Sequence, residues 1–227
     1  MQAIDVMTPN VISVTLQAEV QEIASLLVEH KISAVPVVDD DDQVLGIVSE
    51  GDLMRRVESE GDKHKSWWLK WLSGNNPVDY VKSHGRKAGE IMTSDPITIE
   101  EDEPLYHIAA LLEKHGIKRV PVVRKGKLVG IVSRADLLRG FSVTATDTTV
   151  PADDREIRAA VIKEIEDNSG VLAYRVNVIV ADGDVQLWGL VARQEEKLAA
   201  QVAAENIPGV KSVDNHLGIT PRGMSGI

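Results

Sequence analysis

The chain of 227 residues contains no cysteine. That excludes disulfides, thiolate metal sites and cysteine nucleophiles, and it suits a reducing compartment. Aromatic residues make up only 4%, with a single Phe, so the core must be built from aliphatic side chains. Positive charge is scarce too: 25 Lys and Arg face 35 Asp and Glu, a net −10. Split after Gly140, the balance is 17 − 22 = −5 before and 8 − 13 = −5 after, so neither half has a basic footprint and no nucleic-acid partner is expected. No apolar run approaches the roughly 20 residues that span a bilayer, and Met1 to Asn10 lacks a charged segment leading into an apolar one, which points to a cytoplasmic protein. The sequence also lacks HExxH, GxxxxGK(S/T) and GxSxG, and its six His are scattered without metal-ligand spacing. We therefore expect no catalytic residues, no metal site and no enzyme.

What the chain does contain is an internal repeat. Residues 5 to 38, shifted by 85, match 90 to 123 at 13 of 34 positions, including Met7/Met92, Thr8/Thr93, His30/His115 and the run Val35-Pro36-Val37-Val38. At a shift of 84, VLGIVSEGDLMR (44 to 55) matches LVGIVSRADLLR (128 to 139) at seven of 12 positions. A unit of roughly 50 residues buries too little surface to stand alone, so the two copies are expected to stack. Val20, Ile23, Ala24 and Leu27, mirrored by Leu105, Ile108, Ala109 and Leu112, mark an amphipathic helix in each. Two apolar runs joined by a polar turn follow, giving the order strand, helix, strand, strand, helix. Pro36 and Pro121 lack a backbone donor and are expected at a strand start or sheet edge. His30 and His115 are read as structural residues ending their helices.

Gly46-Ile47-Val48-Ser49-Glu50-Gly51-Asp52 and Gly130-Ile131-Val132-Ser133-Arg134-Ala135-Asp136 place a hydroxyl and a carboxylate three residues apart where a strand meets a helix. Capping explains this pattern, with Ser satisfying an orphan N–H and Asp complementing the helix dipole. The same groups also suit a ligand: a carboxylate accepts the hydroxyls of a ribose, while Ser and helix N–H groups meet an anion. The two readings are compatible, and capping alone would also account for the pattern.

The doubled set of Met-Thr, His-x-Ile-x-x-Val-Pro-Val-Val and Gly-Ile-Val-Ser-x-x-Asp resembles the cystathionine-β-synthase (CBS) domain in its tandem form, the Bateman module, over residues 3 to 140. The resemblance implies two pseudo-symmetric clefts for adenosine-containing ligands: AMP, ADP, ATP, NAD or S-adenosylmethionine. It implies one cleft of Thr93, Pro96, Ile97, Lys118, Arg119, Val120, Pro121, Ser133 and Asp136, and another of Thr8, Val11, Ile12, Ala34, Val35, Pro36, Ser49 and Asp52. The Asp would contact ribose, the Ser phosphate, and the apolar residues adenine. Lys118 and Arg119 replace Ser33 and Ala34, so the Asp136 cleft is expected to hold a phosphorylated ligand more tightly.

Residues 57 to 88 interrupt the repeat and carry Trp67, Trp68 and Trp71 among three Lys. As a helix they present an aromatic face, which would pack on the module, contact a second copy of the chain, or rest on a membrane. A basic loop, Ser83 to Lys87, leads into the second copy.

Beyond a Thr-rich linker (141 to 153), Asp153 or Asp154 can cap a helix with Ile157, Val161 and Ile165. Val176, Val178 and Val180 then turn at Asp182-Gly183 into Val185, Leu187, Gly189 and Val191, a hairpin. A second helix, Glu195 to Glu205 with Leu198 and Val202, and a strand, Val210 to Leu217, complete it. The spacing Gly183-x-Val185-x-Leu187-x-Gly189-x-Val191 and the later Gly209-Val210-x-x-Val213-x-Asn215-x-Leu217 resemble the BON domain over residues 154 to 219. That resemblance implies a small module meeting phospholipid or protein partners. Gly189 is read as scaffold, allowing close backbone approach.

The expected organisation is thus an α/β protein: CBS domain 1 (1 to 56), connector (57 to 88), CBS domain 2 (89 to 140), linker, BON domain (154 to 220) and tail (221 to 227). Its expected role is a non-catalytic regulator, as a homodimer, binding an adenine nucleotide and signalling through the BON domain to a protein or phospholipid partner. The alternative is a constitutive adaptor or scaffold with vestigial clefts.

Overall fold

The computed structural model describes residues 1–54, 85–143 and 152–220. The Trp-rich stretch and most of the Thr-rich linker lie outside the described residues. In chain order the elements are α1 (Ala3–Val6), β1 (Thr8–Pro9), β2 (Val14–Thr15), α2 (Val20–His30), β3 (Ala34–Val38) and β4 (Val44–Ser49). After these come α3 (Ala88–Ile91), β5 (Thr93–Ser94), β6 (Ile99–Glu100), α4 (Leu105–Lys114), β7 (Arg119–Arg124), β8 (Lys127–Ser133) and α5 (Arg134–Val143). The last part holds α6 (Ala152–Asn168), β9 (Val176–Ala181), β10 (Asp184–Val191), α7 (Gln194–Glu205) and β11 (Ser212–Ile219).

Two compact units result, and they do not follow the repeat. One holds Val11–Ile97 with Lys125–Leu128, the other Met1–Asn10, Thr98–Arg124 and Val129–Ile227. Each copy gives its Met-Thr strand to the other copy's sheet. The orders are β2-β3-β4-β5 and β6-β7-β8-β1, alike in connectivity. Thr8 pairs with Ile131, and Thr93 with Ile47. The repeated Met seats each exchanged strand. Met7 lies against Gly130 and Met92 against Gly46, where any Cβ on the glycine would overlap the sulfur.

Helix periodicity translates into burial as expected: Val20, Ile23 and Leu27 in α2, and Leu105, Ile108 and Leu112 in α4, face their cores. Lys31, with φ 53°, ends α2 in the left-handed conformation next to His30. Pro36 sits inside β3 in the middle of its sheet, not at an outer edge. Its missing N–H is tolerated because β2 reaches only Val37 and Val38. Pro121 is accommodated the same way, since β6 pairs only with Val122 and Val123.

In the C-terminal domain, α6 and α7 pack against the three-stranded sheet β9-β10-β11, whose core includes Ile157, Val161, Ile165, Val178, Leu187 and Leu217. Asp182 (φ 52°) and Gly183 (φ 80°) form the two-residue hairpin turn. Asp154 binds this turn, accepting from the N–H groups of Asp182 (2.7 Å) and Gly183 (2.8 Å). At Gly189 (φ 138°) a Cβ would overlap the Arg175 carbonyl oxygen. On α7 the expectation from Leu198 and Val202 fails. They are 57% and 45% exposed, while Ala200, Ala203 and Ala204 are buried. Small side chains let this helix lie close to the sheet and turn its larger ones outward.

Candidate functional site

Both Ser–Asp turns have the same geometry. In the first, Ser49 ends β4, and its N–H (2.9 Å) and Oγ (2.7 Å) both donate to Asp52 Oδ2. The N–H of Glu50 donates to the Ser33 carbonyl at 3.0 Å. In the second, Ser133 ends β8 and donates through its N–H (2.8 Å) and Oγ (2.7 Å) to Asp136 Oδ2. Asp136 N–H lies 3.4 Å from Ser133 Oγ, and Arg134 N–H donates to the Lys118 carbonyl at 3.1 Å. Reciprocal capping is therefore present at the second turn. One oxygen of each carboxylate belongs to the turn, and the first helical N–H is already bonded rather than turned to an anion. Lys118 is joined through its backbone to the Asp136 turn; Ser33 holds the matching place at Asp52.

Asp136 is only 4% exposed, and its second oxygen is occupied as well. Arg139 Nη1 donates to Oδ1 at 2.9 Å, and Asn177 Nδ2 approaches the same oxygen at 3.4 Å. Asn177 stands on β9 of the C-terminal domain, whose outer face lies against α1, β1 and α5. Its Nδ2 donates to the Val6 carbonyl at 2.8 Å and lies 3.4 Å from Thr8 Oγ1. Asn177, Trp188 and His216 form one row across the sheet. Trp188 stacks on His216, ring centroids 4.0 Å apart, and the Arg139 guanidinium lies 5.7 Å from the Trp188 ring centre.

Two arginines of α6 hold the same contact. Arg155 Nε donates to Asp5 Oδ1 at 2.7 Å. Arg158, 7% exposed, donates to the carbonyls of Val178 (2.7 Å) and Met7 (2.6 Å). Burial pushes its pKa down to about 10, against the opposing pull of Asp5 and Asp136.

The exchange of Met-Thr strands regroups the expected cleft residues. Thr8 joins Ser133, Asp136, Lys118, Arg119, Val120 and Pro121 in one unit. Thr93, Pro96 and Ile97 join Val11, Ile12, Ala34, Val35, Pro36, Ser49 and Asp52 in the other. Relative to the sequence expectation, Thr8 thus falls with Asp136, and Thr93, Pro96 and Ile97 fall with Asp52. Val35 and Val120 are 0% exposed and belong to the cores, so neither presents a surface to a base. Lys118 is exposed and Arg119 half-buried.

Sequence reasoning did not single out Asn177, Arg139, Arg158 or Trp188. Signals existed for two of them. Arg139 repeats Arg55 in the aligned segment, and Asn177 shares its strand face with the apolar Ile179. Among the described residues no group of three or more His, Asp or Glu could hold a metal, and no helix is long and apolar enough to cross a membrane.

Comparison with known proteins agrees with this layout. The CBS domain family model matches residues 3–59 and 88–143, and the BON domain model matches 153–221. The chain is 34% identical over 128 residues to the CBS domain-containing protein CBSX1, chloroplastic, of Arabidopsis thaliana, which is 53% of this chain and 54% of that one. The chain thus spans about half the length of that relative. The crystal structure of CBSX2 in complex with AMP superimposes with a TM-score of 0.54 at 31% identity, covering 63% of this chain and 97% of that one. The CBS domain pair of protein MJ0100, in complex with 5′-methylthioadenosine and S-adenosyl-L-methionine, gives a TM-score of 0.50 at 26% identity, covering 63% and 97%.

Proposed function

The chain belongs to the tandem CBS-domain proteins and carries a BON domain after the pair, and from that premise we propose that it is a non-catalytic regulator which binds an adenosine-containing ligand at its Ser–Asp turns and relays the bound state through the BON domain. The observation that carries this is the doubled turn. At Asp52 and Asp136 alike, Ser N–H and Oγ fix a single carboxylate oxygen, leaving the other as the acceptor for a ribose diol, which at Asp136 requires one of its present donors to leave. The complexes of CBSX2 with AMP and of MJ0100 with two adenosine derivatives support the ligand class. Lys118, bonded through its carbonyl to the Asp136 turn, and the adjacent Arg119 make that turn intrinsically the tighter one for a phosphorylated ligand. The exposed Leu198 and Val202 on α7 offer the BON domain an apolar surface for a protein or phospholipid partner. The reading places the protein in the cytoplasm as a homodimer.

One observation favours the alternative, a constitutive adaptor. Asp136 already has donors on both oxygens and needs no ligand to be satisfied. Calorimetric titration with AMP, ATP, NAD and S-adenosylmethionine, repeated on Asp52→Ala and Asp136→Ala, separates the two. The regulator binds at least one of them and loses most affinity with Asp136→Ala. No heat with any of the four is the adaptor's result.

A further inference from the structure

We infer that the BON domain occupies the Asp136 turn in place of the ligand, so that nucleotide binding there and BON docking exclude one another. This rests on the functional reading above and adds the route by which binding is relayed. A carboxylate offers about four acceptor directions. Asp136 has four donors: Ser133 N–H and Oγ on Oδ2, and Arg139 Nη1 and Asn177 Nδ2 on Oδ1. With 4% of its surface exposed, it cannot take a ribose diol unless a donor leaves. Asn177 is the one to leave. Its 3.4 Å contact is longer than the 2.9 Å bond from Arg139, and it comes from a separate domain rather than from the same helix.

The docked state also carries a defect that favours release. Asn177 is 4% exposed, and its Oδ1 is buried without a donor. Turning the amide over gives no relief, because it would bring Oδ1 against the Val6 carbonyl, where Nδ2 now donates at 2.8 Å. A buried carbonyl oxygen without a partner destabilises the arrangement that creates it. Ligand entry would lift the row Asn177, Trp188 and His216 off α5 and expose the Trp188–His216 stack. A ligand that binds only the undocked state shifts the population toward it.

The test is titration of the full chain with AMP. Asn177→Asp sets a carboxylate against Asp136 and the Val6 carbonyl. Arg155→Glu breaks the contact with Asp5, away from the turn, and guards against a folding defect at Asn177. We expect AMP to bind at least fivefold more tightly to both variants, and the gain to vanish when Asp136→Ala is added to Asn177→Asp. Deuterium exchange at residues 176–181 of the wild type should rise at least threefold with AMP. AMP affinity unchanged or weaker in both folded variants, with binding still lost in Asp136→Ala, overturns this inference and leaves the nucleotide reading intact. No binding of AMP, ATP, NAD or S-adenosylmethionine by the wild type or either variant overturns both.

Discussion

Arg158 shows how a single residue can be costly and still hold an interface. Lowering its pKa from the ordinary guanidinium value to about 10 corresponds to about 3 kcal/mol of unfavourable burial. Two hydrogen bonds from a charged donor, to the carbonyls of Val178 and Met7, contribute about 1.5–3 kcal/mol each. The balance is favourable but small. Arg158→Met should therefore lower stability by about 1–3 kcal/mol in urea unfolding, chiefly by leaving two carbonyls without donors. Because the folded-state pKa is the lower one, the unfolded chain binds more protons only above about pH 9, and the wild type gains stability from there upward. Between pH 6 and 9 the difference between wild type and variant should stay flat. A difference that changes across that window would mean Arg158 is not charged in the folded protein.

Among the elements, helices and hairpins were legible from local pattern. The spacing of Val20, Ile23 and Leu27 gave α2, and Asp182-Gly183 gave the β9–β10 turn, as the structure places them. The exchange of β1 and β5 was not legible. Two near-identical copies offer the same docking chemistry, Met onto Gly, so Met7 fits Gly46 or Gly130 equally well on paper. That choice is a long-range pairing which periodicity does not encode. The regrouped candidate site follows from it: Ser133 and Asp136 were readable, but their association with Thr8 was not. Packing at this contact can be tested directly. Gly130→Ala should cost about 1–3 kcal/mol through overlap with the Met7 sulfur. Adding Met7→Ala should return part of that loss in a double-mutant cycle. Full additivity of the two would contradict the contact.

At the scale of the whole molecule, the first ten residues serve a unit that is distant from them in sequence. They supply β1 to the sheet of β6, β7 and β8, the Asp5 partner of Arg155, and the carbonyls of Val6 and Met7 that Asn177 and Arg158 bond. Full burial of Asn177 and Ile179 on the outer face of β9 follows from what lies against it. Deleting residues 1–10 should therefore raise deuterium exchange in β7, β8 and β9, with the larger rise in β9, whose outer face loses both α1 and β1. Strands β3 and β4 take no partner from the deleted segment and should keep their protection. Equal loss of protection in β3 and β4 would mean that the first ten residues support the whole molecule rather than one unit. No change in β9 would mean that the BON domain docks without them, and that Arg155 and Arg158 hold little of the contact.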